Sequence, residues 1–251
     1  MIAIRGLCKR YGEQPALDGV DLDVAAGELC VVLGPSGAGK STLLRCINRL
    51  VEPDAGEVRI DGRPPPATRA ALRELRATVG MIFQQHNLVP RLSVLKNVLA
   101  GRLARVPLWA SLLHVFPRRD VAIALAGLHG VGLAERAGER ADRLSGGQQQ
   151  RVAIARALAQ EPRVLLADEP VASLDPRTAH VVLEDLRRAA HELQLAVVCN
   201  LHQVELAREF ADRVVGIAAG RVVFDGPPSA LDDAALRRIY PGFEPGGLLA
   251  A

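Results

Sequence analysis

Aromatic residues are scarce in this 251-residue chain: five Phe, two Tyr and one Trp, 3% in all. So few rings leave little material for the stacking platforms that hold single-stranded nucleic acid. A net charge of only +3 adds no strong electrostatic footprint for such a partner. Lysine is also rare. Lys9, Lys40 and Lys96 are the only lysines among 31 basic residues, which makes Lys40, at the end of a glycine-rich stretch, stand out. The four cysteines, Cys8, Cys30, Cys46 and Cys199, lie far apart with no C-x-x-C pair. They read as buried, reduced thiols of a cytosolic protein, not as a disulfide framework. No apolar run reaches the ~18 residues of a membrane span; the longest candidate, 106–116, is flanked by Arg105 and Arg118-Arg119. The opening Met1-Ile2-Ala3-Ile4-Arg5 has no signal-peptide layout. What is there, 49% hydrophobic and 24% charged, is ordinary for a soluble globular protein with a sizeable core.

Three motifs stand out within that composition. Glu28-Leu29-Cys30-Val31-Val32-Leu33 reads as a buried strand, and it runs into Gly34-Pro35-Ser36-Gly37-Ala38-Gly39-Lys40-Ser41, followed by Thr42. This fits G-x-x-x-x-G-K-[ST], the phosphate-binding loop. The glycines let the backbone wrap closely round a polyphosphate, and the next helix aims its positive end at the same anion. Lys40 has the reach for the β- and γ-phosphates, and Ser41 offers a hydroxyl to Mg²⁺. Further on, Val164-Leu165-Leu166-Ala167-Asp168-Glu169 is an apolar strand ending in two carboxylates. Asp168 suits a hold on Mg²⁺, and Glu169 suits a general base orienting water; taken alone, both could be solvated strand-end groups. Between these lies Leu144-Ser145-Gly146-Gly147-Gln148. Serine is a good N-cap and the glycines expose backbone donors, although a bare run of this kind also fits an ordinary helix start. The chain already has a phosphate loop, so a second anion-binding helix end suits the phosphate held by another protomer.

Along the chain, strands alternate with helices, which indicates a largely parallel sheet covered by helices. Val20-Asp21-Leu22-Asp23-Val24 alternates, and Glu57-Val58-Arg59-Ile60 runs into an Asp61-Gly62 turn. A helix is expected over 41–50, with Leu43, Leu44, Ile47 and Leu50 on one face, and Val79-Gly80-Met81-Ile82-Phe83 reads as a strand. Residues 87–138 change to helical, Ala/Leu/Arg-rich texture. Pro176 starts a helix with Leu183, Leu186, Ala190 and Leu193 on its apolar face. Leu195-Ala196-Val197-Val198-Cys199 is a strand, and a hairpin turning at Gly220 closes the core.

Taken together, the motifs resemble the ABC ATPases, in which the LSGGQ segment closes over nucleotide held by a partner subunit. The resemblance covers nearly the whole chain. It implies an α/β fold: a P-loop NTPase core with a mainly parallel sheet, an N-terminal antiparallel β region and an inserted helical subdomain. That gives one domain, with residues 1–86 and 139–251 as nucleotide-binding core and 87–138 as the subdomain. By resemblance, Tyr11 after Lys9-Arg10 stacks on adenine, and Gln84 in Ile82-Phe83-Gln84-Gln85 senses Mg²⁺ and the γ-phosphate. Ser173-Leu174-Asp175 is similar to the D-loop that crosses the dimer interface, and His202 to the switch histidine. His86, His114, His129, His180 and His191 are read as structural. The pattern departs from the commonest one at Gln203, where many relatives carry an acid, and at Val171-Ala172, where many carry a small hydroxyl residue. The stretch Gln84 to Leu99, Gly101-Arg102-Leu103, the segment centred on Trp109 and Cys199 to Gln203 look like the ATP-binding subunits of phosphonate importers.

The resemblance implies ATP and Mg²⁺ as ligands and a second copy of the chain as partner. It also implies membrane permease subunits, an indirect solute-binding protein, and a peripheral place on the cytoplasmic face of the bacterial inner membrane. No nucleic-acid partner is expected. The Trp109 segment is a candidate docking surface, and the short tail after Pro228 leaves no room for an appended regulatory domain. Two other readings stay open on sequence alone: an importer of another small solute, or a soluble ABC ATPase of repair or translation. A small-molecule kinase would leave the LSGGQ segment, His202 and the D-loop unexplained.

Overall fold

Polar and apolar residues alternate in the N-terminal segments, and the chain there forms one-sided antiparallel strands. Strands β1 (Ile2–Tyr11) and β2 (Gln14–Val24) pair antiparallel, and β4 (Ala55–Ile60) adds to the other side of β1. Ile2, Ile4, Val20, Leu22, Val24, Val58 and Ile60 face inward. These strands belong to a computed structural model that describes residues 1–107 and 115–243. The segment around Trp109 and His114 therefore falls largely outside the described residues.

A second, six-stranded sheet carries the core. Its order is β5 (Val79–Ile82), β6 (Val164–Asp168), β7 (Ala196–Asn200), β3 (Leu29–Leu33), β8 (Arg213–Ala218) and β9 (Arg221–Gly226). The first five run parallel and β9 returns antiparallel. Parallel strands are covered on both faces, which is why their sequences are continuous apolar runs. Leu29, Val31 and Leu33 enter one apolar cluster, while Cys30 and Val32 enter another. On the second face lie α1 (Lys40–Ile47) and the antiparallel sheet. On the first lie α5 (Gly146–Ala159), α6 (Pro176–Leu193), α7 (Val204–Phe210) and α8 (Asp233–Ile239).

The helical stretch expected over 87–138 contains α3 (Val94–Leu99) and α4 (Arg118–Gly130), whose apolar residues pack with those of α5 in one unbroken cluster. Arg102 fastens this region to the end of α5. Its guanidinium is 3% exposed and bonds Asp120 at 2.9 Å, the Ala159 carbonyl at 2.8 Å and Glu161 at 2.7 Å. A buried charge is tolerable only when its donors are met in this way.

Three elements differ from the sequence expectation. Helix α2 (Arg69–Thr78) was not anticipated, and none of its residues is buried. α1 stops at Ile47, since Arg49 adopts a left-handed φ of 55°, so Leu50 is not part of its apolar face and is 46% exposed. Leu193 occupies the last position of α6, before Gln194 in the left-handed conformation, and is 57% exposed. Among the described residues no helix is long and apolar enough to cross a membrane.

Candidate active site

Parallel strands bring two of the three motifs, the phosphate loop and the Asp168-Glu169 pair, to one sheet edge together with the segment before His202. β3 ends at Leu33, β6 at Asp168 and β7 at Asn200, with Asp168 directly beside Asn200 in register. Ligands of open α/β sheets sit outside these carboxyl ends. The loop leaving β3 ends at Gly39, whose φ of +106° and distance of 2.2 Å from a built Cβ to the Ala16 carbonyl oxygen admit only glycine. Gly39 is the N-cap of α1 and supplies no side-chain bond, so the first N–H groups of the helix are left for an anion.

Lys40 is 4% exposed, and its ammonium donates to the Gly34 carbonyl at 2.6 Å and the Pro35 carbonyl at 3.0 Å. Burial lowers its pKa from the ordinary 10.5, with Glu169 and Asp168 acting in the opposite direction. Neutral carbonyls hold the charge at the loop until a stronger, anionic acceptor takes it. A cavity of about 340 Å³ opens over the loop, walled by Ser36 to Thr42, Glu169 and Tyr11 among others. Gly34 and Pro35 stand outside that wall and serve through their carbonyls. Tyr11 is 51% exposed at the cavity rim. The Lys9 ammonium lies 5.8 Å from the centre of its ring and 2.7 Å from the Asp54 carboxylate.

Asp168 is buried, and its Oδ1 accepts from Ser41 Oγ at 2.8 Å and from Asn200 Nδ2 at 2.9 Å. Its Oδ2 is 3.9 Å from the Arg45 guanidinium. Sequence reasoning named Ser41 and Asp168 but missed Asn200 and Arg45. The signal for Asn200 was present: an amide ending an otherwise apolar strand. Glu169 follows in the left-handed region, at φ 50°. Such a conformation costs on the order of 1–3 kcal/mol outside glycine and tends to mark functional positions. Its Oε1 lies 2.6 Å from His202 Nε2, so the carboxylate accepts from the ring N–H and is fixed beside the loop.

Ser41 and Asp168 supply hard oxygen donors, and among the described residues no group of three or more His, Cys, Asp or Glu side chains forms a metal cage. That set fits Mg²⁺, which commonly arrives with a polyphosphate and needs only one or two protein oxygens. It does not fit a structural zinc site, which needs four protein ligands.

The remaining predicted residues lie away from the cavity wall. Gln84 is exposed, two residues beyond β5, and its side chain bonds none of the described residues. Ser145 caps α5 in a full capping box: it accepts from the Gln148 N–H, while Gln148 Oε1 accepts from the Ser145 N–H. Gly147 has a packing duty that sequence alone does not show, since a Cβ there would lie 2.2 Å from Thr178 Cγ2. Thr178 in turn is bonded by Asp175, the N-cap of α6, which ties the D-loop to the LSGGQ helix. Arg156 of α5 donates to the Asn87 and His86 carbonyls at 2.6 and 2.8 Å, joining the same helix to the segment after Gln84.

This geometry has close counterparts among known proteins. The ABC transporter profile matches residues 17–172. The phosphonates import ATP-binding protein PhnC of Thiobacillus denitrificans is 54% identical over 240 residues, 95% of this chain and 92% of that protein. The PhnC 1 protein of Rhodopseudomonas palustris is 51% identical over 241 residues, 96% of this chain and 89% of that one. Among solved structures, the dimeric bacterial ABC transporter cassette MJ0796 is 35% identical at a TM-score of 0.80, over 91% of this chain and 99% of the other. The ADP conformation of MJ1267, an ATP-binding cassette of an ABC transporter, gives a TM-score of 0.84 at 26% identity, over 97% of this chain and 99% of the other. With its phosphate loop, strand-end carboxylates and LSGGQ helix in that arrangement, the chain belongs to the ABC transporter family.

Proposed function

We propose that this chain is the ATP-hydrolysing subunit of an importer that carries phosphonates or related phosphorus oxyanions. The carrying observation is the Glu169 carboxylate, fixed by His202 at 2.6 Å and walling the same cavity as Lys40 and Ser41. The substrate class rests on kinship to proteins named for phosphonate import, because a subunit of this type does not itself touch the solute.

In this reading the triphosphate of ATP lies along loop 34–41 and over the first turn of α1, ending at Thr42. Lys40 exchanges its two carbonyls for phosphate oxygens, and Tyr11 stacks on the adenine. Ser41 and Asp168 would hold Mg²⁺, with Gln84 joining them when its segment moves inward; the bound cation supplies charge neutralisation at the phosphates. Glu169 accepts a hydrogen bond from the attacking water, a role worth about 10²–10⁴-fold in rate. Ser145, Gly146, Gly147 and Gln148, together with Asp175, serve the nucleotide of a second copy of the chain. ATP thereby favours a closed pair. Residues 87–138 act as a helical subdomain that passes this closure to permease subunits at the cytoplasmic face of the inner membrane, which a solute-binding protein supplies.

The test is uptake of methylphosphonate by a strain deleted for this chain and carrying no other phosphonate importer. Complementation with the wild type is expected to restore uptake, and complementation with Glu169→Gln is not. Undiminished uptake in the uncomplemented deletion strain would overturn the substrate assignment.

A further inference from the structure

Asn200 is the last residue of β7 and is fully buried, at 0% exposure. The other four residues of that strand, Ala196 to Cys199, are small or apolar, and Leu201 after it is buried as well. An apolar side chain would suit the surroundings. The amide instead leaves its Oδ1 buried with no hydrogen-bond partner among the described residues, which costs stability. Apolar packing therefore does not account for an amide here. Its Nδ2 accounts for it, by donating at 2.9 Å to Asp168 Oδ1. The reversed amide would set its oxygen against the carboxylate, so the donor assignment follows from the partner.

The two oxygens of Asp168 are thereby made unequal. Oδ1 accepts from both Ser41 and Asn200, while among the described residues Oδ2 has only the exposed Arg45 side chain, 3.9 Å away. Ser41 Oγ serves both partners at once, with a lone pair for the cation and its O–H for Asp168, and Asn200 supplies a second, independent donor to the same carboxylate oxygen. Asn200 sits on a sheet strand in register with Asp168, so its amide is carried by a rigid element.

We propose that Asn200 is a positioning residue for the divalent cation that accompanies ATP, locking the Asp168 carboxylate in one orientation together with Ser41. The proposal rests on the reading that Asp168 and Ser41 receive that cation. It assigns a role to an amide in the second layer around the metal, where substitutions typically weaken metal affinity by about 10- to 100-fold.

Mn²⁺ serves as the probe. Free Mn²⁺ is measured by electron paramagnetic resonance in titrations of the full-length chain with ATP, for the wild type, Asn200→Leu, Asn200→Ser and Asp168→Ala. ATP affinity is measured in parallel without any divalent cation, and thermal stability for each variant. Asn200→Leu keeps the branched shape at a larger volume, and Asn200→Ser provides a smaller replacement if leucine perturbs folding. Both are expected to weaken Mn²⁺ binding to the ATP complex about 10- to 100-fold, with cation-free ATP affinity within about twofold of wild type. Either variant also removes a donor to the buried Asp168 carboxylate, so the Tm is expected to fall modestly, and affinities are compared at a temperature where every variant is folded. Unchanged Mn²⁺ affinity in a folded Asn200 variant, with Asp168→Ala weakened, would overturn the role of Asn200 alone. Unchanged affinity in Asp168→Ala as well would overturn the reading of the cation site on which the proposal stands.

Discussion

Helices α1 and α5 both start from glycine-containing motifs at a predicted phosphate contact, yet they begin in opposite ways. At α1 the N-cap is Gly39, which has no side chain to offer, and the charge nearest the helix start is the buried Lys40. At α5 the N-cap is Ser145, and with Gln148 it closes a reciprocal capping box. The first helix leaves its orphan donors to a ligand; the second satisfies the Ser145 and Gln148 N–H groups itself and remains exposed at Ser145 and Gly146. The surroundings follow the same division. Around α1 stand Ser41, Asp168, Asn200, Glu169 and His202, linked by hydrogen bonds that span 32 to 127 residues of sequence. Around α5 the contacts with Thr178 and with the His86 and Asn87 carbonyls are structural. One end is a site that a single chain assembles; the other is a finished surface that gains a ligand only from outside.

The sharpest way to break this comparison is to disable the α1 side at Glu169. Glu169→Gln is expected to slow ATP turnover by about 10²–10⁴-fold, while ATP-loaded protein accumulates as a dimer in light scattering. A slow enzyme that stays monomeric with ATP would mean that α5 does not meet a partner's nucleotide. Next in size is Lys40→Ala, which removes a charged donor worth about 1.5–3 kcal/mol. ATP affinity, read by calorimetry, is expected to fall by roughly 10- to 100-fold; unchanged affinity would contradict the role of the loop.

The α5 side calls for smaller, structural effects in the isolated chain. Gly147→Ala drives a methyl group into Thr178 and is expected to cost about 1–3 kcal/mol of stability, with ATP binding to the monomer spared. Thr178→Ser removes the offending methyl but keeps the hydroxyl bonded to Asp175, so the double variant should recover most of the lost Tm. If it does not, Gly147 is needed for something other than close packing. Ser145→Ala opens the capping box and is expected to cost about 1 kcal/mol, again without loss of monomer affinity.

The contrast between the helices was only half legible in sequence. The G-x-x-x-x-G-K-[ST] spacing is a local pattern, and so is the Ser145 N-cap, whose box with Gln148 needs only a three-residue separation. The continuous run before Gly34 and the alternation in Val20 to Val24 likewise announced a two-face and a one-face strand. The Ser41–Asp168–Asn200 chain was not legible, because it depends on which parallel strands lie side by side, and β6 and β7 are neighbours while β3 lies beyond β7. Helix α2 escaped for a different reason: its apolar stripe is short, Ala71, Leu72 and Leu75 among charged residues, none of it fully buried, and Thr68 at its N-cap was its other local sign. Leu50 and Leu193 were misplaced because periodicity does not say where a left-handed residue will stop a helix.

The smallest predicted effect separates the two helix ends by pH. Burial lowers the His86 pKa from the ordinary 6.5, Arg156 acts in the same direction, and the Gly146 backbone opposes them. A histidine whose folded value lies below its unfolded value binds its proton more readily when the chain is unfolded. Its neutral form therefore gives full stability above the unfolded value. That contribution falls as pH drops below about 6.5 and levels off below the folded value. His86 lies beside the start of α5, so the loss should be felt there and not at α1. Between pH 8 and 5 the Tm of the wild type is expected to fall more than that of His86→Gln. Amide exchange, corrected for its intrinsic pH dependence, should rise at 145–148 relative to 40–44. Parallel Tm curves for the two proteins would remove His86 as the source, and equal exchange changes at both helices would mean that acid acts on the fold as a whole.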